Sequence, residues 1–398
     1  MVNIKMNLKE IKNITGLNDE VLLKYIQNKT EIKVLFQQTE IQNIIREKWL
    51  CFSEKINKNK ITIGELFAGA GGLAIGFEKA GLESVFLNEF NNKACATLRK
   101  NRPLWNVIEG DIRNIDFSSY KNKIDILSGG FPCQAFSHAG KRLGFADTRG
   151  TLFYEFARVI TETNPKAFVA ENVKGLLSHD NGSTIETIKN VFTEIGYTIV
   201  EIKILNAMYY NVPQKRERIF IIGIRNDLVS KIKNDDLCIP CYYSLPTMKD
   251  VLFESQLYPE VLPLSNCPKY PKRKKEIMDM VPQGGYWRNL PIDIQKEYMQ
   301  KSFYAGGGKT GMARRLSLDE PCLTLTCSPS QKQTERCHPL ETRPLSTREY
   351  ARIQTFPDDW FFEGSVSAIY QQIGNAVPVN LGFVIGKMLS NLIEKIKG

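Results

Sequence analysis

Ile61-Thr62-Ile63-Gly64-Glu65-Leu66-Phe67-Ala68-Gly69-Ala70-Gly71-Gly72 is the stretch on which the fold turns. A short apolar run leads into closely spaced glycines, and an amphipathic segment, Gly72–Ala80, follows. The pattern predicts a strand, a sharp turn and a helix, because glycine reaches backbone conformations closed to other residues and lets a ligand approach closely. Further candidate strands are Ser84–Asn88, Asn106–Glu109, Ile124–Ser128, Ala167–Ala170, Tyr197–Leu205 and Arg218–Ile224. Helical patterns fall at Lys93–Lys100, Leu152–Thr163 and Thr184–Ile195. Alternation at this spacing predicts an α/β fold, a doubly wound, mostly parallel sheet of seven strands covered on both faces. Sites in such sheets lie beyond the carboxyl ends of the strands.

Outside this region the patterning changes. Residues 1–60 are polar and rich in Lys, Asn and Ile, with helical periodicity at Val21, Leu22, Tyr25 and Ile26. They are expected to form a helical extension packed on the main domain; Thr15-Gly16-Leu17-Asn18 also allows a helix-turn-helix. Residues 61–229 make the sheet domain. After Asn226 the alternation stops, and 230–342, with many Pro, Gly and basic residues, is expected to be a second, smaller, irregular domain. Residues 343–398 then return to the first, with a closing helix at Val377–Ile396.

The totals bound the function. A formal net charge of +10 favours a polyanionic partner. No uninterrupted apolar run reaches the ~18 residues of a membrane span, and no apolar signal core opens the chain; a cytoplasmic protein away from membranes is expected. Nine cysteines, scattered and odd in number, suit free thiols better than a disulfide framework. Cys238-Ile239-Pro240-Cys241 with Cys267, Cys322, Cys327, Cys337 and His338 invites a zinc reading, but the spacing is irregular and no metal is expected.

The glycine-rich turn, with Glu89 ending the second strand and Asp111 following the third, suits a nucleoside-like ligand. A carboxylate at Glu89 can accept from ribose hydroxyls, and Asp111 can hold an adenine amino group. A nicotinamide dinucleotide and a merely structural turn remain open at this motif. After the fourth strand comes Gly129-Gly130-Phe131-Pro132-Cys133-Gln134-Ala135-Phe136-Ser137. A cysteine in a tight loop at a strand end suits a nucleophile, and a buried free thiol is the plainer alternative. Ala170-Glu171-Asn172-Val173 puts a carboxylate beyond the fifth strand, and Gln214-Lys215-Arg216-Glu217-Arg218 offers two arginines at alternate positions.

Taken together, these segments resemble the DNA cytosine-5 methyltransferases. The likeness runs in order from Ile61 to about Leu389. It takes in the glycine turn, Pro132-Cys133-Gln134, Arg149-Gly150-Thr151-Leu152-Phe153, Glu171-Asn172-Val173 and Gln214–Arg218. It continues through Arg343-Pro344-Leu345-Ser346 to Asp358, and ends in Gln372-Ile373-Gly374-Asn375-Ala376-Val377-Pro378. Seven such segments in the family's order do not arise by chance.

The resemblance implies a Rossmann-like methyltransferase sheet, S-adenosylmethionine as methyl donor and double-stranded DNA as partner. It assigns Cys133 as the nucleophile on carbon 6 of a flipped cytosine, Glu171 as the acid at N3, Arg218 as a contact to base or acid, and Arg216 as a phosphate contact. It gives the cofactor Phe67, Ala68, Gly69, Gly71, Gly72, Glu89, Phe90, Asp111, Ile112, Pro132, Leu152, Asn375 and Val377; Phe90 stands where many relatives carry Trp. A loop from Gln134 to Arg149, with Gly140 and Gly144, is expected to close over the base, and Ser137, Lys141 and Arg142 to touch DNA. In the second domain, Lys309 beside Gly306-Gly307-Gly308, Arg314, Arg315 and Thr324 of a Thr-Leu pair are the candidate DNA contacts, and Lys272–Lys275 a phosphate-meeting run. Bacterial members commonly act beside a cognate restriction endonuclease, which is a functional counterpart, and a monomer is expected. The rivals are an RNA cytosine-5 methyltransferase, whose tRNA-specific branch carries a Cys-Phe-Thr signature not found here, and an idle DNA-binding regulator.

Overall fold

The computed structural model describes Ile11, Lys12, Thr15, Leu17 and residues 39–132, 152–305 and 309–398. These divide into two compact units. The first holds the described residues up to Tyr210, Glu217–Ser244 and Val379–Gly398; the second holds Asn211–Arg216 and Leu245–Pro378.

In the first unit, helix α1 (Thr39–Ser53) precedes a sheet built from β1 (Ile61–Leu66), β2 (Leu82–Glu89), β3 (Val107–Glu109), β4 (Ile126–Gly129), β5 (Ala167–Val173), β6 (Tyr197–Asn206) and β7 (Glu217–Arg225). Their spatial order is β3-β2-β1-β4-β5-β7-β6. All pairings are parallel except those of β7, which runs antiparallel to β5 and β6. The order reverses direction at β1, so a crevice opens between the carboxyl ends of β1 and β4. Helices α2 (Gly72–Lys79), α3 (Asn92–Asn101), α4 (Leu152–Thr163) and α5 (Ser183–Glu194) connect the strands.

Near-continuous apolar runs make β1, β4, β5 and β7, as strands covered on both faces require. Between α4, α5 and the sheet lies an aromatic core of Phe153, Phe156, Phe168 and Phe192, with the last two rings 4.2 Å apart. Losing one such ring typically costs about 3–5 kcal/mol. Helix α1 buries Ile41, Ile45 and Trp49, and Trp49 meets Tyr242 edge-on at 5.1 Å. The apolar stretch Val366–Lys397 has the length and composition of a membrane span, although 83% of its most apolar window is buried within the protein. Its uncharged part was too evenly broken by polar residues to stand out as a run.

The second unit has its own apolar core of Tyr270, Ile277, Met278, Val281, Trp287, Leu290, Tyr298, Met299, Met312, Ala313 and Cys337. It begins at Leu245 and runs to Pro378, not from 230 to 342. Residues 230–244 stay with the first unit, where Tyr242 N donates to Tyr209 O at 2.7 Å. Beyond 342, helices Thr347–Ile353 and Val366–Asn375 pack on each other through Tyr350 and Tyr370, ring centroids 5.0 Å apart. Segment 211–216 belongs here because Gln214–Lys215 pairs in parallel with Cys322–Leu323.

Candidate active site

Among the described residues, the glycine turn, Glu89, Asp111, Phe131, Glu171 and Arg218 all lie at the same edge of the sheet. The parallel strands β1 to β5 end there, and β7, being antiparallel, begins there, with Arg218 in register with Val173.

The turn after β1 carries three successive left-handed residues at odd positions, Phe67 (φ 57°), Gly69 (φ 54°) and Gly71 (φ 89°). Left-handed geometry at a phenylalanine is strained, and such strain concentrates at ligand sites. Two contacts impose it. Ala68 N donates to Asn88 O at 3.0 Å, and Gly69 N donates to Glu89 Oε2 at 2.8 Å. The other oxygen of Glu89 accepts from Asn91 N at 2.7 Å. Each carboxylate oxygen retains a second lone pair, so Glu89 ties the turn to β2 and can still accept from a ligand hydroxyl. Phe90 next to it is 74% exposed, a flat apolar face open to stacking.

Asp111 caps the short 3-10 turn Ile112–Asn114 by accepting from Arg113 N at 3.0 Å. The Arg113 side chain also bonds this carboxylate, and those bonds hold its pKa below the ordinary carboxylate range. Ile112 is buried among the core aromatics, Leu152 packs against that core, and Pro132 is exposed. Asn375 and Val377 belong to the second unit, where Asn375 Oδ1 accepts from Cys327 Sγ at 3.1 Å.

The acidic end is tightly fixed. Arg218 Nε lies 2.8 Å from Glu171 Oε1, with both side chains 13% exposed. Asn172 Nδ2 donates to Phe131 O at 2.9 Å in a buried bond, which anchors the two residues before Cys133 beside the acid. A Cβ at Gly130 would stand 2.9 Å from Glu171 Oε2, so only glycine allows this approach. Glu171, expected beyond the strand, is part of β5, which extends to Val173. Cys133, Ser137, Lys141 and Arg142, with the rest of the Gln134–Arg149 loop, lie outside the described residues, as do Gly306, Gly307 and Gly308.

Several assignments are displaced by geometry. Arg216 is 1% exposed and donates to the carbonyls of Leu325 (3.2 Å), Gly374 (3.0 Å) and Ala376 (3.0 Å). A guanidinium so committed is a structural clamp in the second unit, not an open phosphate contact. Gln214 completes that clamp by donating to Gln354 and accepting from Leu325 N. Arg315, 6% exposed, donates to the carbonyls of Met278, Val281, His338 and Glu341; it braces the second core and presents no edge to guanine. Arg314 is half-buried, with its Nε unpartnered and its guanidinium 5.8 Å from the Tyr286 ring. Thr324 donates to Lys215 O at 2.7 Å, and Lys309 Nζ donates to Ser302 O at 2.5 Å. In the basic run, Arg273 pairs with Glu276 and Glu297, Lys274 with Glu335 and Lys275 with Asp279. No group of three or more His, Cys, Asp or Glu placed to hold a metal occurs among the described residues.

One residue of the edge went unnoticed in the sequence. Glu65, in β1, is 2% exposed, and its Oε2 has no hydrogen-bond partner. Burial, with the nearby Glu89 charge adding to it, pushes its pKa well above the ordinary range. A carboxyl group inside an otherwise apolar strand was the signal that could have flagged it.

A strained glycine turn at a topological switch point, with carboxylates on the neighbouring strand ends, defines the class of Rossmann-like nucleoside-binding proteins. Residues 61–391 match the family described as C-5 cytosine-specific DNA methylase. The chain belongs to this family and is a DNA cytosine-5 methyltransferase. It is 57% identical over 409 residues to the type II methyltransferase M.Eco47II of Escherichia coli, covering 100% of this chain and 98% of that protein. It is 61% identical over 330 residues to the type II methyltransferase M.PspPI of a Psychrobacter strain, covering 83% and 79% respectively. Among solved structures, a DNA modification methyltransferase encoded within an E. coli prophage aligns with a TM-score of 0.61 at 25% identity, covering 84% of this chain and 99% of that one.

Proposed function

We propose that this chain transfers a methyl group from S-adenosylmethionine to carbon 5 of a cytosine extruded from a specific short sequence of double-stranded DNA, through a covalent bond between Cys133 and carbon 6. The observation that carries the reading is the Glu171–Arg218 pair, held beside the Phe131–Pro132 turn by Asn172. Cys133 is the next residue in the sequence after that anchored Phe131–Pro132 segment.

The turn after β1 fits the methyl donor. Nothing lies within 4 Å of where a Cβ on Gly69 would sit, so the turn opens onto free space. Around it stand an acceptor for ribose hydroxyls at Glu89, an exposed ring at Phe90, an acceptor for the adenine amine at Asp111, and the orphaned acid Glu65, which suits an incoming ammonium group. When bound, the donor supplies an electrophilic methyl group.

The protein's own task is to make carbon 5 nucleophilic. Addition of the Cys133 thiolate to carbon 6 turns the C4–C5 bond into an enamine-like system. Glu171, protonated toward N3, draws charge onto the ring as the thiolate adds. Arg218 fixes that carboxyl group in place and adds positive potential beside it. After transfer, a base takes the carbon 5 proton, the electron pair re-forms the C5–C6 double bond, and Cys133 leaves carbon 6 as the thiolate. Because carbon 5 is inaccessible within stacked duplex, the base must first be flipped out, at a cost of a few kcal/mol.

The relatives are named type II methyltransferases; we infer the same role here, protecting DNA from a cognate restriction endonuclease in a bacterial cytoplasm, with the enzyme acting as a monomer. The second unit is assigned to target recognition. Cys133→Ser tests the mechanism: methyl transfer to plasmid DNA should vanish while sequence-selective binding in a gel-shift assay persists. Turnover at the wild-type rate would refute the reading.

A further inference from the structure

Helix α4 carries a Glu155, Arg158, Glu162 series on one face, a spacing that brings side chains three and four positions apart together. Glu155 Oε2 accepts from Arg158 Nε at 2.7 Å, and Glu162 Oε1 accepts from Arg158 Nη1 at 2.5 Å. The guanidinium thus held reaches across to another part of the chain. Nη2 donates to Ile112 O at 2.7 Å, and Nη1 donates to Ile115 O at 3.2 Å. The second oxygen of Glu162 accepts from Phe117 N at 3.0 Å. Three backbone groups of the segment 112–117 are therefore gripped by one face of α4. The planar fork of an arginine can span two carbonyls and two carboxylates, and a lysine ammonium cannot.

What the grip holds is the short turn whose cap is Asp111. That side chain is oriented by Arg113, whose backbone N and guanidinium both donate to it and which lies inside the gripped turn. Arg158 reaches the cofactor end only through the backbone carbonyls of Ile112 and Ile115, and its partners do not explain a stability role alone. A part-buried carboxylate–guanidinium–carboxylate series is a poor stabiliser, because desolvation offsets much of its attraction. Its geometric product is a turn fixed at both ends.

We propose that Arg158 is a positioning residue for the adenine end of the cofactor site: by clamping the carbonyls of Ile112 and Ile115 from α4, it sets the direction in which Asp111 faces the adenine amino group. The proposal rests on the reading of Asp111 given above. The test measures equilibrium binding by titration calorimetry, using S-adenosylhomocysteine and its inosine counterpart, in which an oxygen replaces the adenine amine. Wild-type protein should prefer the adenine form. Arg158→Lys should weaken adenine-form binding roughly tenfold, the order expected within one hydrogen-bond network. Inosine-form binding should change by less than about twofold, since that ligand gains nothing from Asp111. Glu162→Gln should shift the preference in the same direction and decides alone if Arg158→Lys does not fold. Equal losses for both ligands, or an unchanged preference in both variants, would overturn the proposal. Asp111→Ala separates the two levels. If it leaves the preference intact, the assignment of Asp111 is at fault; if it removes the preference while the α4 variants do not, the positioning role is.

Discussion

Glu171 and Arg218 face each other at 2.8 Å in a site only 13% exposed on either side, and at that burial a charged hydrogen bond is worth more than at the surface. In the proposed mechanism the arginine does two jobs there: it fixes the acid's rotamer and supplies the positive potential that favours electron flow toward the acid. Glu171→Gln keeps shape and loses the proton. Single-turnover methylation should slow by roughly 10²–10⁴-fold, the usual worth of a general acid, with DNA affinity within a few-fold of wild type; a rate within threefold of wild type would remove Glu171 from the chemistry. Glu65 makes a different prediction. Its pKa is raised in the folded chain, so stability from burying the neutral acid is complete below the ordinary carboxylate range and is lost as pH rises through the raised value. In ligand-free protein, Glu65→Gln should therefore gain stability over wild type as pH rises above the ordinary carboxylate range, by an amount of order 1–3 kcal/mol for a buried unsatisfied group. A difference that stays constant with pH would show that the pKa of Glu65 is not raised in the folded chain.

At the level of elements, the strands were legible because parallel strands covered on both faces are apolar throughout, and the turn was legible because its glycines are spaced for a sharp reversal. Boundaries moved by a few residues, most at β5, where Glu171 and Asn172 continue the strand although their side chains are polar. Of the two arginines of Gln214–Arg218, Arg218 meets Glu171 as expected, while Arg216 was misjudged for a structural reason. Alternation along an extended chain puts positions 216 and 218 on one side, yet the chain passes from one compact unit to the other between Arg216 and Glu217, and the alternation does not survive that break. Asn172 and Gly130 acquire their meaning only from tertiary geometry. Gly130→Ala would force a methyl group against Glu171 Oε2, at 2.9 Å. We expect the carboxyl group to shift and methylation to fall by about 10²-fold, as ångström-scale misplacement of a catalytic group does, with the melting temperature within about 2–4 °C of wild type. Unchanged turnover would mean that Glu171 has room to spare.

Across the whole molecule, the +10 charge pointed to a polyanion without saying where it binds. The basic run at Lys272–Lys275 looked like a phosphate contact and proves to be largely paired within its own unit. Lys274 reaches the fully buried carboxylate of Glu335 at 2.6 Å, and Tyr298 Oη donates to the same carboxylate at 2.7 Å. Removing the lysine should expose that unit's core to an uncompensated charge. Lys274→Ala is predicted to lose about 3 kcal/mol of stability while leaving the salt dependence of DNA binding in place. A phosphate contact would instead lower the logarithmic salt slope by about 1 with little effect on melting. Composition could not distinguish these outcomes, because a lysine in a run of four carries no mark of what it faces. The glycine turn and the strand ends carried their pattern in the sequence; the second unit did not, since its side chains are placed by an irregular fold with no periodic pattern to read.

The attack of one sulfur on one ring carbon is tested most directly by a duplex carrying 5-fluorocytosine at the target position. Fluorine cannot leave carbon 5 as a proton does, so once methyl transfer has occurred the Cys133–carbon 6 bond has no route to break. Incubation with the methyl donor should yield a denaturation-resistant protein–DNA adduct that maps to the peptide containing Cys133 and is absent from Cys133→Ser. Full methylation of ordinary duplex with no adduct on the fluorinated one, or an adduct at another residue, would contradict the account.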